Sequence, residues 1–155
     1  MRPDCGMPTP AATPAPSPVR FPGMKLIVNV DGGARGNPGP AAIGIVIRDS
    51  EGEVLEDIAE TIGEATNNVA EYKALIRGIE RAIELGGEEL EIRGDSELVV
   101  RQMLGQYKVK HADMKPLHAA ATEALAGLDS WTISHVRREQ NAEADALVNQ
   151  ALDAA

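Results

Sequence analysis

One stretch of the chain constrains its fold more than any other, because an apolar run ends there in an acid followed by glycines. Residues 25–30 have the sequence KLIVNV, a partly β-branched run typical of a strand in the middle of a sheet. Asp31 follows directly, and open α/β sheets place their ligand sites at strand ends. Gly32 and Gly33 lack a Cβ, so another group can approach their backbone closely. We therefore expect a strand that carries a carboxylate at its rim.

Alternating and helical apolar patterns predict the other elements of an α/β domain. The first three strands form an antiparallel meander, and the later strand–helix–strand succession requires a parallel crossover. A helix follows the polar residues 66–68 and ends at Gly86, and its apolar residues recur every three or four positions from Tyr72. We predict a mixed five-stranded sheet, with three antiparallel strands and then two parallel ones, flanked by about four helices. The predicted strands cover residues 25–30, 41–48, 53–62, 90–93 and 131–136, and the later helices cover residues 97–106, 112–127 and 141–155.

The first 23 residues differ in composition from the rest of the chain. Seven of the ten prolines lie between Pro3 and Pro22, and such a segment buries too little apolar surface to offset its ordering entropy. We expect a disordered tail over residues 1–23 and one globular domain over residues 24–155, with Met24 as the domain's first residue or an alternative start. A single cysteine, Cys5, excludes a disulfide framework, and no apolar run approaches the roughly 18 residues of a membrane span. We expect a cytoplasmic monomer.

Four acids fall at comparable places in the predicted elements. Asp31 and Asp95 follow the first and fourth strands, and Glu71 and Asp145 lie in the first turns of two helices. Neighbouring parallel strands end at the same edge of a sheet, so the four carboxylates are expected to converge there. Because like charges repel, such a cluster suits hard divalent cations, and oxygen ligands favour Mg²⁺ or Mn²⁺ over zinc. Two such ions about 4 Å apart can activate water for phosphoryl displacement.

The motifs around these acids resemble those of the type 1 ribonucleases H, over nearly all of residues 24–155. The resemblance implies a ribonuclease H-like fold and hydrolysis of the RNA strand of an RNA–DNA hybrid, leaving a 5′-phosphate and a 3′-hydroxyl. It further implies that Asp31, Glu71, Asp95 and Asp145 are the catalytic acids and the ligands of two Mg²⁺ or Mn²⁺ ions. The matching motifs are DGG at 31–33, GNPGP at 36–40, TNN at 66–68, AE at 70–71, DS at 95–96 and NAEADAL at 141–147.

The same resemblance assigns substrate contacts to polar and glycine residues. The backbone around Gly32, Gly33 and Glu71 matches positions that contact ribose 2′-hydroxyls, the group that distinguishes RNA from DNA. The residues that match positions holding DNA-strand phosphates or bases are Asn37, Thr66 and Asn67. For each of these three residues, a structural capping role is an equal alternative. Asn68 is expected to be a helix cap.

A cationic residue near the last acid is expected to assist the reaction. The usual bacterial members carry a histidine there in a flexible loop that contains glycine. Residues 135–141 (HVRREQN) contain no glycine and resemble the archaeal-like branch, in which an arginine near the loop takes that part. His135 has the right separation from Asp145, but it shares strand parity with Trp131. We therefore prefer Arg138 over His135.

The basic, tryptophan-bearing protrusion of many bacterial members is absent. Residues 106–111 lead almost directly into the third predicted helix. The stretch 101–138 holds six lysines and arginines against three acids, so it is locally positive in a chain with a net charge of −9. Trp131, the only tryptophan, is expected in the core and not as a stacking platform. The candidates for DNA-strand phosphate contacts are Lys108, Lys110 and Lys115.

Two classes of function remain open from the sequence. One is a divalent-metal nuclease that acts on RNA–DNA hybrids. The other is a catalytically silent module of the same fold that binds hybrids or double-stranded RNA. A pure binder gains nothing from four carboxylates held beside a polyanion, so the complete set of acids favours the nuclease. Whether double-stranded RNA is also a substrate stays open.

Overall fold

In the computed structural model, which describes residues 24–155, the sheet is built outward from its central strand, β1 (Lys25–Ala34). On one side β1 pairs antiparallel with β2 (Gly39–Asp49), which pairs antiparallel with β3 (Val54–Ala65). On the other side it pairs parallel with β4 (Glu89–Gly94), which pairs parallel with β5 (Ser130–His135). The order β3-β2-β1-β4-β5 confirms the predicted mixed sheet.

Four α-helices flank the sheet in residues 24–155, and a short 3₁₀ turn at Arg138–Asn141 precedes the last of them. The number of helices agrees with the prediction. They are α1 (Asn67–Glu84), α2 (Glu97–Met103), α3 (Lys115–Leu125) and α4 (Ala142–Ala154).

Helix α1 begins and ends where its sequence signals place it. The Thr66 hydroxyl accepts a 3.2 Å hydrogen bond from the backbone N–H of Val69 and caps the helix. Asn68, which we expected to be a cap, is instead the second residue of the helix. Beyond the last turn, Gly86 adopts a φ of +102°, a conformation that glycine adopts without steric cost. Most of the predicted apolar face is buried in the core, and Ile76 and Ile83 are half-buried against it; the buried members are Tyr72, Leu75, Ile79 and Ala82.

Helices α1 and α4 cover opposite faces of the sheet. On the α1 face, Gly78 lies against Val28, Val30 and Ile45. On the other face, a Cβ at Gly44 of β2 would lie only 2.2 Å from the backbone oxygen of Ala144 in α4. Glycine at position 44 therefore lets α4 pack directly on the strand, and this contact fixes where the last helix begins.

Several elements have different bounds from those predicted. The β1–β2 ladder continues to the pair Ala34–Ala41, so Asp31 lies inside the strand and not at its end. Strand β3 likewise runs to Ala65 because its pairing with β2 extends that far. Helix α2 ends at Met103, and Gly105 follows with a φ of +78°. The third helix begins at residue 115 and not 112, so residues 104–114 form an irregular connection.

No helix in residues 24–155 is both long and apolar enough to cross a membrane. The predictions for the proline-rich tail and for Cys5 fall on residues 1–23, outside the described part of the chain. The division between tail and domain stays a prediction.

Candidate active site

Three carboxylates meet at the edge of the sheet where β1 and β4 separate. They belong to Asp31, Glu71 and Asp95, and one oxygen from each lies within 4.8 Å of the others. The parallel ladder ends at the pair Val30–Gly94, and Asp31 and Asp95 are the next residue on each strand. The ladder therefore delivers both side chains to the same edge, as the sequence predicted.

Glu71 reaches this edge because α1 approaches β1 very closely. A Cβ on Gly32 would lie 2.3 Å from the backbone oxygen of Ala70, so this approach requires glycine. The backbone N–H of Gly32 donates a short hydrogen bond to Oε1 of Glu71 and orients that carboxylate. Glu71 is the fifth residue of α1, so the prediction that it lies in the first helical turn is wrong by one position.

The electrostatics of the cluster favour a bound cation. Burial, together with the nearby negative charges of Glu71 and Asp95, raises the pKa of Asp31 to about 10. Burial also raises the pKa of Glu71 to about 7, although the hydrogen bond from Gly32 opposes that shift. Without a cation, burial and the neighbouring charges therefore favour the protonated form of Asp31. Three oxygen ligands in mutual repulsion fit a hard divalent cation, which would take the place of this proton.

The structure does not bring Asp145 into this group. Asp145 lies in the first turn of α4, as predicted, and its side chain is half-buried. Helix α4 packs on the sheet face opposite α1, where its contact with Gly44 holds it. We predicted that four carboxylates converge at this edge; the structure brings three of them within 4.8 Å of one another, and Asp145 lies outside that group.

Of the two candidate assisting groups, Arg138 has the closer relationship to the acids. Its Nε lies 3.8 Å from Oδ2 of Asp95, and 81% of its side chain is exposed. His135 pairs with Gly94 at the end of β5, is exposed, and makes no side-chain hydrogen bond or ion pair with residues 24–155. The geometry supports our preference for Arg138, which stays a prediction.

The polar residues predicted to hold the DNA strand join the β1–β2 turn to the start of α1. Asn37 Oδ1 accepts a 3.0 Å hydrogen bond from the backbone N–H of Asn67, and Asn67 Oδ1 accepts a 2.9 Å bond from that of Ala34. Together with the cap at Thr66, each of these side chains has a structural role. The amide nitrogens of Asn37 and Asn67 donate no hydrogen bond to a described residue, so they can still donate to a ligand.

The predicted basic residues lie along the connection between α2 and α3. Lys108, Lys110 and Lys115 are exposed, and none forms an ion pair within residues 24–155. Lys108 and Lys115 line an open groove of about 550 Å³, and no described acidic residue lines it. Trp131 is half-buried and packs against the core, which confirms its predicted place.

Sequence reasoning missed Gln102, which lies on the floor of this groove. The apolar spacing of residues 97–106 predicts an inward face formed by Leu98, Val99, Met103 and Leu104. In the structure Leu104 is 46% exposed, while Gln102 is only 3% exposed. The available signal was its position three residues after Val99, on the same helical face.

Comparisons with known proteins agree with this geometry. A family model described as "Reverse transcriptase-like" matches residues 29–151. A Halobacterium salinarum protein named ribonuclease HI is 45% identical over 84% of this chain. A Hydrogenovibrio crunogenus protein named ribonuclease H is 33% identical, and the match covers 79% of this chain and 92% of that relative. The chain spans 66% of the length of the Halobacterium relative and 36% of that of the matching Mycobacterium tuberculosis protein.

A solved structure gives the same result. LC11-RNase H1, a protein isolated from compost, has been solved in complex with an RNA/DNA hybrid. It superposes on this chain with a TM-score of 0.79 at 47% identity, over 83% of this chain and 97% of that one. The order of strands, the three carboxylates at the sheet edge and these similarities lead to one conclusion: the chain belongs to the type 1 ribonuclease H family.

Proposed function

We propose that this chain is an endonuclease that hydrolyses the RNA strand of RNA–DNA hybrids, using two Mg²⁺ or Mn²⁺ ions and leaving 5′-phosphate and 3′-hydroxyl ends. The observation that carries the proposal is the carboxylate group of Asp31, Glu71 and Asp95, whose oxygens lie within 4.8 Å of one another. Membership of the family supports it. So does the hybrid-bound structure of LC11-RNase H1, which is 47% identical to this chain.

In this proposal the acids hold the metal ions and other groups orient the acids. Asp31, Glu71 and Asp95 would be ligands, and Asp145 would join them once ions and substrate draw it toward the edge. When bound, the ions would supply an activated water and neutralise charge on the leaving oxygen. The N–H of Gly32 fixes the orientation of Glu71. Arg138, beside Asp95, would donate to a substrate phosphate.

The RNA strand would lie across the carboxylate edge. The backbone of Gly32 and Gly33 borders the acids, and it is the proposed contact for ribose 2′-hydroxyls, which DNA lacks. The DNA strand would pass the β1–β2 turn, where the amide nitrogens of Asn37 and Asn67 are available as donors and Thr66 caps the start of α1.

The groove at the end of α2 is the proposed second contact with the DNA strand. Helix α2 starts two residues after Asp95 and has seven residues, so at 1.5 Å per residue it is about 10 Å long, and the groove lies at its far end. Lysine side chains neutralise phosphate charge, and Lys108, Lys110 and Lys115, which form no ion pair within residues 24–155, supply that positive charge in an otherwise acidic chain.

The deciding experiment uses end-labelled hybrid, double-stranded RNA and double-stranded DNA, each incubated with the chain with Mg²⁺ or with EDTA. We expect cleavage of the RNA strand of the hybrid only when Mg²⁺ is present. The fragments should carry 5′-phosphate groups, which a phosphatase removes. Asp31→Asn is the inactive variant. Asp57→Asn, the same change at an exposed residue of β3, is its matched control.

Each arm of this assay separates two alternatives. Binding of the hybrid without cleavage under any metal condition would replace the nuclease with the silent binding module. Cleavage of double-stranded RNA at a comparable rate would widen the substrate class. Fragments with 3′-phosphate ends would contradict the proposed chemistry.

A further inference from the structure

Gln102 is the residue that joins three helices beneath the groove lined by Lys108 and Lys115. It is 3% exposed, although polar side chains are rarely buried unless they are hydrogen-bonded. Tyr72 of α1, which is fully buried, donates a 2.5 Å hydrogen bond from its hydroxyl to Oε1 of Gln102. Nε2 of His118, in α3, lies 3.3 Å from the backbone oxygen of Gln102. Both the side chain and the backbone of this residue are therefore held.

The other end of the same amide holds the irregular connection over residues 104–114. Nε2 of Gln102 donates a 3.3 Å hydrogen bond to the backbone oxygen of Lys108. A carbonyl oxygen can only accept, so this bond fixes which way the amide points and leaves Oε1 for Tyr72. It is the one hydrogen bond from residues 24–155 to the backbone of residues 108–110.

We propose that Gln102 is a positioning residue for nucleic-acid binding: it fixes the backbone at Lys108 so that the lysine side chain faces the DNA strand. This inference rests on the proposed function. Lys108 is exposed and flexible in itself, and ordering a lysine on a loose connection costs conformational entropy on binding. A backbone already tied to the body of the protein lowers that cost, and the three-helix network is buried enough to supply the tie.

The test is a comparison of Gln102→Met, which keeps the volume and removes the amide, with Gln106→Met, an exposed glutamine of the same connection. For Gln102→Met we expect KM for the hybrid to rise about tenfold, as for loss of one charge-assisted hydrogen bond, with kcat nearly unchanged. The slope of log KM against log salt concentration should fall by about one, the change expected for loss of one phosphate contact. Gln106→Met should change neither quantity.

A double-variant cycle gives the inference its sharpest check. If Gln102 acts through Lys108, then Lys108→Ala should raise KM in the unchanged chain and add little in the Gln102→Met background. Additive effects, or a lower Tm with KM and salt dependence unchanged, would assign Gln102 a purely structural role and overturn the inference.

A second variant tests the inference even if Gln102→Met does not fold. Tyr72→Phe removes one hydroxyl and leaves the hydrogen bond from Gln102 to Lys108 in place. It should therefore raise KM, but by less than Gln102→Met does. An unchanged KM would count against a role of this hydrogen-bond network in binding. Failure of the unchanged chain to cleave any hybrid would overturn the proposed function itself. Cleavage with normal KM in Gln102→Met would overturn only this inference.

Discussion

Asn29 and Asn141 lie 112 residues apart in the chain and are joined by a buried hydrogen bond of 3.0 Å from Nδ2 of the first to Oδ1 of the second. Asn141 is 1% exposed, and its own Nδ2 donates a 2.9 Å bond to the backbone oxygen of Val30. Both halves of its amide are therefore bonded to β1, beside Asp31. This side chain fixes the start of α4, and with it the turn that carries Arg138.

Replacing Asn141 by alanine is expected to lower the free energy of unfolding by about 2–3 kcal/mol, because two buried hydrogen bonds are lost. Asn29→Ala should lower the free energy of unfolding by less. It removes only the hydrogen bond to Asn141, and it also removes a buried Oδ1 that has no partner among the described residues. Gln150→Ala, at an exposed position of α4, is the control. Denaturant unfolding of the three variants measures the order. Equal stability of Asn141→Ala and the control would show that the bridge contributes nothing.

Removing the guanidinium at position 138 is expected to lower kcat by about tenfold or more, with a smaller change in KM, because Arg138 lies 3.8 Å from Asp95 and in the proposed function donates to the substrate phosphate. Arg138→Lys, which keeps the charge, should recover part of the loss. His135→Ala is the matched comparison, since this exposed side chain has no described partner. Steady-state kinetics on a short hybrid measure both, and a larger kcat loss at His135 would reverse the assignment.

The parts of the site that the sequence predicted are those set by local periodicity and by strand direction. Parallel pairing of β1 and β4 was readable from the strand–helix–strand order, and that pairing alone places Asp31 and Asp95 together. The extent of β1 was not readable, because the extra pairs to Ala34 depend on β2, a partner whose glycine-rich start has no strong strand preference.

Long-range polar contacts are the part that the sequence could not supply. Spacing alone places Asn29 within an apolar strand and Gln102 on the same helical face as Val99, but it does not show which residue each of them bonds to. Asp145 lies in the first turn of its helix, as predicted, but its distance from the other acids could not be read from the sequence, because α4 packs on the sheet through backbone contact at Gly44. Such contacts depend on tertiary packing and leave no periodic signal.

The variant Asp145→Asn is the most informative of the acid replacements, because this carboxylate lies outside the group of three. If it joins the metal site on binding, its loss should lower activity by orders of magnitude, as expected for Asp31→Asn, Glu71→Gln and Asp95→Asn. Glu143 lies two residues earlier on the same helix and pairs with Arg48 at the surface. The control variant Glu143→Gln should leave activity nearly unchanged. Near-normal cleavage by Asp145→Asn would restrict the site to three acids.

The raised pKa values of the carboxylates predict how stability without metal depends on pH. The pKa of Asp31 is about 10 in the folded chain against an ordinary value of 3.8, and that of Glu71 is about 7 against 4.5. The folded state thus holds protons that the unfolded state releases. The stability linked to these groups is fully present below about pH 4 and is lost as pH rises toward the folded values. In EDTA the chain should therefore become less stable from about pH 5 to pH 8.

Asp31→Asn should remove most of this loss, because asparagine keeps the volume of the side chain and cannot ionise. In EDTA near pH 7 we expect the variant to be more stable than the unchanged chain by an amount on the order of 1 kcal/mol, with the gap widening toward pH 8. Added Mg²⁺ should narrow the gap, since only the unchanged chain gains the full binding energy. Asp57→Asn, the same change at an exposed residue, should show neither effect. Thermal melts across this pH range measure all three proteins. If Asp31→Asn melts below the unchanged chain at every pH, then structural hydrogen bonds hold Asp31 in place, and the repulsion between these acids does not limit stability.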